Sequence, residues 1–235
     1  MLTSDTPPSL YVSVAYGHSC VAHADGAVSC WGRNGEGQVS PDGPNAVLVP
    51  LKVSGVQGAT AVATGDRHTC ALHADGKVSC WGENTDGQLG DGTVQNREDI
   101  RSVKLPTKSA AIAAGVSFTC VAAVDGAVWC WGDGTSGQLG NGGDKGSSKP
   151  VQVDTISDAV GIFAGDYHAC AIHATGGISC WGDNNEQQLG RSDAPAPKGA
   201  GPTALKPVSV PGASDVIGGH AGYSHTCVVT KTRKV

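Results

Sequence analysis

One tripeptide recurs in this chain every 50 residues: Cys30-Trp31-Gly32, Cys80-Trp81-Gly82, Cys130-Trp131-Gly132 and Cys180-Trp181-Gly182. Ten positions ahead of each stands another cysteine (Cys20, Cys70, Cys120, Cys170), and a glutamine follows each at constant distance (Gln38, Gln88, Gln138, Gln188). A repeat of roughly 20–50 residues marks a solenoid, propeller or array, because one unit cannot bury its own apolar face and must stack on a copy of itself. The 235 residues are therefore read as one array rather than two independent domains.

Composition narrows the kind of array. With 35 glycines, 16% charged residues and 1 Met, the chain is turn-rich and poor in residues that helices prefer. No window shows a sustained 3.6-residue apolar period, and no apolar run approaches the roughly 18 residues of a membrane span. The net charge is −5, and the basic residues are scattered apart from Lys231, Arg233 and Lys234, so the basic stripe that nucleic-acid binding needs is missing. The opening Met1-Leu2-Thr3-Ser4-Asp5 is polar, unlike the apolar stretch of a signal peptide.

The second copy shows the unit most clearly. Residues 59–65 form a strand of small residues, suited to a crowded position. The runs 68–73 and 77–82 flank Ala74-Asp75-Gly76, which predicts a hairpin with glycine in the left-handed position. A polar, glycine-rich loop follows over 84–90, and a weaker fourth strand is expected at Ser102-Val103-Lys104-Leu105. Four antiparallel strands per unit make the blade of an all-β propeller. The units run approximately over 10–58, 59–109, 110–158 and 159–213, with a partial fifth over 214–235.

The hairpin register accounts for the cysteines. Counting outward from the loop, Cys70 faces Cys80 in a non-hydrogen-bonded position, where Cα atoms lie about 4.5 Å apart, within reach of a disulfide. The same count pairs Cys20 with Cys30, Cys120 with Cys130 and Cys170 with Cys180. Each bridge is expected to contribute about 2–3 kcal/mol on the chain-entropy view. Two other readings stay open: small buried cysteines kept reduced in a cytosol, and zinc, whose C-x₂₋₄-C spacing the ten-residue gap does not match.

The pattern Gly-x-x-His-Thr-Cys…Asp-Gly-x-Val-x-Cys-Trp-Gly-x-Asn-x-x-Gly-Gln-Leu-Gly, from Gly65 through Gly90, resembles the regulator of chromosome condensation repeat family, with further copies from Ala15, Gly115, Gly165 and Gly222. Trp-Gly and Gly-Gln-Leu-Gly at fixed offset separate it from kelch and WD repeats. The resemblance implies a propeller, usually of seven blades, closed by strands from both chain ends. The paired cysteines resemble a bacterial, exported branch. His225-Thr226-Cys227 aligns with His68-Thr69-Cys70, so Val235 falls at the Val78 position and Cys227 lacks a partner. A fragment of a larger propeller is expected: an open arc of four full blades with an apolar edge near Ile217 and Val228-Val229, marginally stable and prone to self-association. The alternative is a five-bladed ring in which Leu10-Tyr11-Val12-Ser13-Val14 or the N-terminal segment completes the last blade.

The family's plant ultraviolet photoreceptor carries Trp where this chain has Tyr16, Asp66, Val116, Asp166 and Tyr223. Its nucleotide-exchange members act through a protruding β-wedge, and no comparable insertion is evident here. Instead Trp31, Trp81, Trp131 and Trp181 are expected to lie buried between neighbouring blades, with Trp129 on the same strand as Trp131.

Other recurring polar residues have structural explanations. His18, His68, His168 and His225, with Phe118 replacing the third, are expected to hydrogen-bond a neighbouring loop carbonyl rather than form a metal ring. His23, His73 and His173 flank the turn and are expected to be exposed, with Ala123 in the third copy. The glutamines are expected to satisfy backbone groups of their own loops. Glu36, Asp86, Asp133 and Asp183 lack the Asp-x-Asp-x-Asp-Gly array of a calcium loop, and no metal, cofactor or catalytic motif is evident.

Binding is expected in the variable loops joining the copies, with Asn45, Arg97, Asp99, Lys145 and Lys198 as candidate contacts. These observations lead to a non-enzymatic binding propeller, extracellular, periplasmic or at the cell surface, whose partner is a protein or surface ligand. The family contains a secreted inhibitor of β-lactamases, which gives this reading one concrete form. The alternatives are a cytoplasmic nucleotide-exchange or chromatin-type regulator, separated by cysteine oxidation, and an extracellular polysaccharide-active enzyme, which would converge acids from several blades on one cleft.

Overall fold

The computed structural model describes residues 9–191 and 203–231, with only the backbone described for Ser9, Leu10, Arg97 and Glu98. Every element in it is a β-strand. Four sheets of four antiparallel strands follow one another along the chain, each paired in simple sequence order, and a fifth sheet has two strands. The first blade comprises Ser9–Val14, His18–His23, Val28–Arg33 and Ala46–Lys52. The second comprises Ala59–Thr64, His68–His73, Val78–Gly82 and Arg97–Ser102. The third and fourth repeat this plan, and Val216–Ala221 with Thr226–Thr230 forms the fifth.

The central hairpin of each blade follows from its turn. Gly26, Gly76, Gly126 and Gly176 all have φ between 79 and 86°, a region open to glycine, and each turn is followed by the same ladder. A Cβ on Gly126 would come within 2.4 Å of the Ser157 carbonyl just ahead of the next blade's inner strand, so close approach also demands glycine. The turn carbonyls of these glycines accept from the backbone N–H of Ala59, Ser109, Ala159 and Val216, which anchors the first strand of each following sheet at 2.9 Å. Cys20–Cys30, Cys70–Cys80, Cys120–Cys130 and Cys170–Cys180 are disulfides directly across this ladder, with Cα atoms 4.0–4.1 Å apart. Cys227 is free and exposed.

Two expectations about strands are corrected. The fourth strand of the second blade is Arg97–Ser102, not Ser102–Leu105, and Val103 follows it as a buried anchor whose N–H donates to the Val78 carbonyl. An outer strand paired on one side tolerates the polar sequence Arg-Glu-Asp-Ile-Arg-Ser, so apolar alternation does not reveal it. Closure of the last blade by residues 10–14 is the second. Residues 10–14 do not join the last sheet but pair with His18–His23 as the inner strand of the first blade, with Ser13 opposite Cys20. Each inner strand packs on the two inner strands of the preceding blade, and among the described residues no comparable packing joins the fifth sheet to the first. On the fifth sheet Ile217 and Val229 are exposed.

The apolar cores lie between blades rather than within them. Four buried clusters occupy the four interfaces, and the first three each include the tryptophan of the later blade: Trp81, Trp131 and Trp181. These three rings are fully buried. Each indole Nε1 donates to the backbone carbonyl of the preceding unit's glutamine: Trp81 to Gln38, Trp131 to Gln88 and Trp181 to Gln138, at 2.8–2.9 Å. Gly90 and Gly140, both with positive φ, lie directly under the indole, and a Cβ on either would meet the ring at 2.8 Å. Trp31 departs from the expected burial. It is half-buried, and among the described residues no glutamine loop covers it as Gln38 covers Trp81.

The glutamine side chains hold the receiving loops in shape. Each Oε1 accepts the N–H two residues before it, as Gln88 does from Asp86 and Gln138 from Ser136. In the third and fourth units Nε2 also donates to Asp133 and Asp183 at 2.8 Å, so these acids serve the loop. Trp131→Ala is expected to cost about 3–5 kcal/mol by opening a fully buried cavity, and Trp31→Ala less than half as much, read as shifts in the urea midpoint with disulfides intact. Equal losses would show that coverage by the preceding loop is not what separates the two.

Candidate functional site

The recurring histidines are structural, with a partner other than the one expected. His18, His68 and His168 are buried, and Nε2 of each lies 2.8–2.9 Å from the threonine hydroxyl of the next blade: Thr69, Thr119 and Thr226. Those hydroxyls donate onward to the carbonyls of Gln38, Gln88 and Gln188. A hydroxyl has one proton, so Nε2 must be the protonated nitrogen and Nδ1 the bare one. Nδ1 has no partner in any of the three, which this tautomer tolerates better than an orphaned N–H. At the third interface both members change together: Phe118 replaces the histidine and Ala169 the threonine that would meet it. His225, at the free edge, is exposed.

The turn-flanking histidines are half-buried rather than exposed. His23, His73 and His173 reach across their hairpins to Ser29, Ser79 and Ser179 at 2.7–2.9 Å. The third copy again changes both partners, to Ala123 and Trp129. No group of three or more His, Cys, Asp or Glu positioned to hold a metal exists among the described residues.

The loop candidates are spread over the periphery. Asn45 is exposed just before the outer strand Ala46–Lys52, and its carbonyl accepts from the Asn34 N–H. Arg97 and Asp99 lie on the outer strand Arg97–Ser102 rather than in a loop, and Asp99 pairs with Arg101 at 2.9 Å. Lys145 is exposed in the loop before Ser147–Gln152. Lys198 falls outside the described residues. Asn45 lines one cavity beside Glu36 and Asn96, Asp99 another beside Ile100 and Ser102, and Lys145 lines neither.

The place where all five sheets meet is the axis. The ends of the inner strands line one cavity of about 680 Å³, whose rim is Tyr16, Asp66, Val116, Asp166 and Tyr223, with Tyr167 beside Asp166. These side chains occupy one repeat position around which the backbone barely changes. Asp66 N–H donates to the Val116 carbonyl and Val116 N–H to the Asp166 carbonyl, at 3.2 and 3.1 Å, so neighbouring blades are bonded at the rim itself. Tyr16 is 94% and Tyr223 68% exposed. Tyr167 and Tyr223 meet edge to face, with ring centroids 6.3 Å apart. Partial burial, together with the Asp66 charge, raises the Asp166 carboxyl above its ordinary range. Burial, the Tyr223 ring hydroxyl and the charges of Asp166, Asp133 and Asp66 raise Tyr167. Arg67 faces Asp66 at 3.3 Å and Glu83 at 3.8 Å. The rim thus offers aromatic faces and carboxylates on a stiff frame, which suits a ligand that brings apolar surface and hydrogen-bond donors.

Models of the regulator of chromosome condensation (RCC1) repeat match residues 25–72, 75–122, 125–172 and 175–229, and a second model of the same repeat matches 59–88, 110–138 and 159–188. The chain belongs to the RCC1 repeat family. No curated protein matches it significantly in sequence. Among solved structures, human WBSCR16 superposes with a TM-score of 0.82 at 20% identity, covering 96% of this chain and 60% of that one. Prp20p from Saccharomyces cerevisiae, whose structure is described with its binding to Gsp1p and histones, gives 0.83 at 19% identity, covering 97% and 57%. Yeast RCC1 (Prp20) bound to Kap60 gives 0.78 at 22% identity, covering 92% and 52%. At these identities the likeness concerns the propeller fold, and the chain spans little more than half the length of these relatives. In the sequence the five rim positions were evident only as the place where a relative carries Trp. Loops that vary in length stand out in a sequence, whereas the rim varies in residue type at one fixed repeat position.

The RCC1 interfaces also carry a pH dependence. Burial lowers His18 and His168 to about 4, partly offset by Asp66 and Asp183, and lowers His68, beside His18, to about 3. The folded values lie below the ordinary 6.5, so the unfolded chain binds more protons in that window and stability falls as pH drops below 6.5. Above 6.5 this stabilisation is fully present. Each ring contributes a slope of about 1 kcal/mol per pH unit. Transplanting the third interface into the second, His68→Phe with Thr119→Ala, is expected to reduce this acid slope by about one ring's share while leaving neutral stability within about 1 kcal/mol. Urea midpoints measured from pH 7 to 4.5 test this, and an unchanged slope would assign the acid sensitivity elsewhere.

Proposed function

We propose that this chain is a non-enzymatic interaction propeller that binds a protein partner at the axial rim, in an oxidising compartment outside the cytoplasm. One observation carries the reading: three tyrosines and two aspartates from different blades converge on one cavity whose backbone is bonded blade to blade. A rim that varies in chemistry on an invariant frame is how a repeat scaffold acquires specificity. The four disulfides support the compartment, since such bonds persist where thiols are not continually reduced. The exchange-factor reading is less favoured. Among the described residues, no additional strand pair protrudes from the loops joining third and fourth strands.

A second reading draws on the same cavity. Asp66 and Asp166 come from separate blades, and Asp166 has the raised carboxyl that a general acid needs, so a polysaccharide-cleaving site is the alternative.

Cross-linking of the purified chain to extracellular and surface proteins, followed by affinity measurement on the captured partner, tests the first reading. Tyr16→Ala with Tyr223→Ala, or Asp66→Asn, is expected to weaken that partner at least about tenfold, while Asp99→Ala and Lys145→Ala leave it unchanged. The reverse ranking would move the site to the periphery. Release of reducing sugar from a polysaccharide panel, abolished by Asp166→Asn, would instead establish the enzyme.

A further inference from the structure

The histidine and serine that meet across the hairpins share a geometry but not a setting. In the first copy His23 Nε2 lies 2.9 Å from the Ser29 hydroxyl, and Nδ1 has no partner. In the second, His73 Nε2 lies 2.7 Å from Ser79 Oγ and Nδ1 lies 2.8 Å from the Gln57 backbone carbonyl. A carbonyl carries no proton, so Nδ1 is the N–H that donates to it. The neutral ring then presents a bare Nε2, and the Ser79 hydroxyl donates its proton there. A hydroxyl on a base, with the base fixed in one tautomer by a third group, is the arrangement of an activated nucleophile.

Ser79 also opens on space. A cavity of about 800 Å³ lies between the first and second blades, and His73, Ser79, Gln57 and Lys77 all line it. Ser79 is otherwise buried, so the cavity is the way to its hydroxyl. Asp42, Asp75 and Asp99 face the single ammonium of Lys77 among the described residues of this lining, and Ile100 adds apolar surface. In the fourth copy His173 has a carboxylate instead of a carbonyl, with Asp158 Oδ1 at 2.6 Å and Ser179 Oγ at 2.8 Å. None of those three residues lines this cavity or the axial one.

We propose that Ser79 is a site of covalent acylation, with His73 as its general base and the Gln57 carbonyl orienting that base. The acyl donor is a neutral or amine-bearing ester, because the carboxylates of the lining repel an anionic one. Ser79 Oγ adds to the ester carbonyl carbon while its proton moves to His73 Nε2. The tetrahedral intermediate expels the alcohol oxygen, which takes that proton from Nε2, and Ser79 keeps the acyl group. Lys77 supplies positive charge on the same cavity wall for the transient oxyanion. The proposal is independent of the axial reading, because the two cavities share no residue.

The test treats the full chain, disulfides intact, with p-nitrophenyl acetate and locates the acetyl group by peptide mass mapping. Acetylation at Ser79 is expected, with Ser29, which has the same histidine but no orienting group, left unlabelled. His73→Ala should slow labelling of Ser79 at least about a hundredfold, and imidazole added to the buffer should restore it. A ring that only braces the hairpin would show no such rescue. Alanine already occupies this position in the third blade, as Ala123, so the fold accommodates the variant. Ser179→Ala should leave the labelling of Ser79 unchanged. Acetylation of Ser179 in place of Ser79 would overturn the proposal by ranking the Asp158 carboxylate above access to a cavity. Labelling confined to lysines, or a His73→Ala protein acetylated at the parent rate, would overturn it as well.

Discussion

The architecture hangs on a backbone carbonyl. Where one blade meets the next, the glutamine carbonyl of the earlier unit receives an indole N–H, a threonine hydroxyl or both from the later one. Donors that would be costly to bury alone are thereby paired inside an apolar interface. The indole also brings the largest apolar surface of the repeat, so one side chain supplies both the burial and its geometric register. Other features serve this contact. The glutamine side chain folds the loop so that its own carbonyl points outward, and glycine clears the space the ring occupies.

Much of this was legible from residue spacing, and the limits are instructive. The cysteine pairs could be counted from a three-residue turn because a hairpin is local, and register follows from its closing pair. The polar strand Arg97–Ser102 could not be placed, since an outer edge imposes no alternation. The partner of His68 lies 51 residues away on another blade, beyond what any single-unit reading can assign. A signal was nevertheless present at the third interface, where Phe118 of the third copy and Ala169 of the fourth depart from the consensus together. Paired exceptions within one chain point to contact between copies.

The axial rim and the interfaces obey opposite rules. Interface positions are held constant by packing, and where one changes its partner changes with it. Rim positions share a backbone path but hold Tyr, Asp, Val, Asp and Tyr in successive units. At Asp66, Val116 and Asp166 the inter-blade bonds are made by backbone groups, so the side chains there are free of that task. The fold therefore leaves chemistry free to diverge at the point where all units converge.

Every disulfide closes a span of ten residues inside one blade, and none crosses an interface. Each cysteine thus meets its partner as soon as its own hairpin forms, before the next pair needs to exist. Oxidation can proceed unit by unit from the N-terminus, with few of the wrong pairings that eight cysteines would otherwise allow. The covalent bonds consequently stiffen the building blocks and leave their assembly to packing alone. Force applied across the arc would part it between blades, along seams that can re-form without any chemistry.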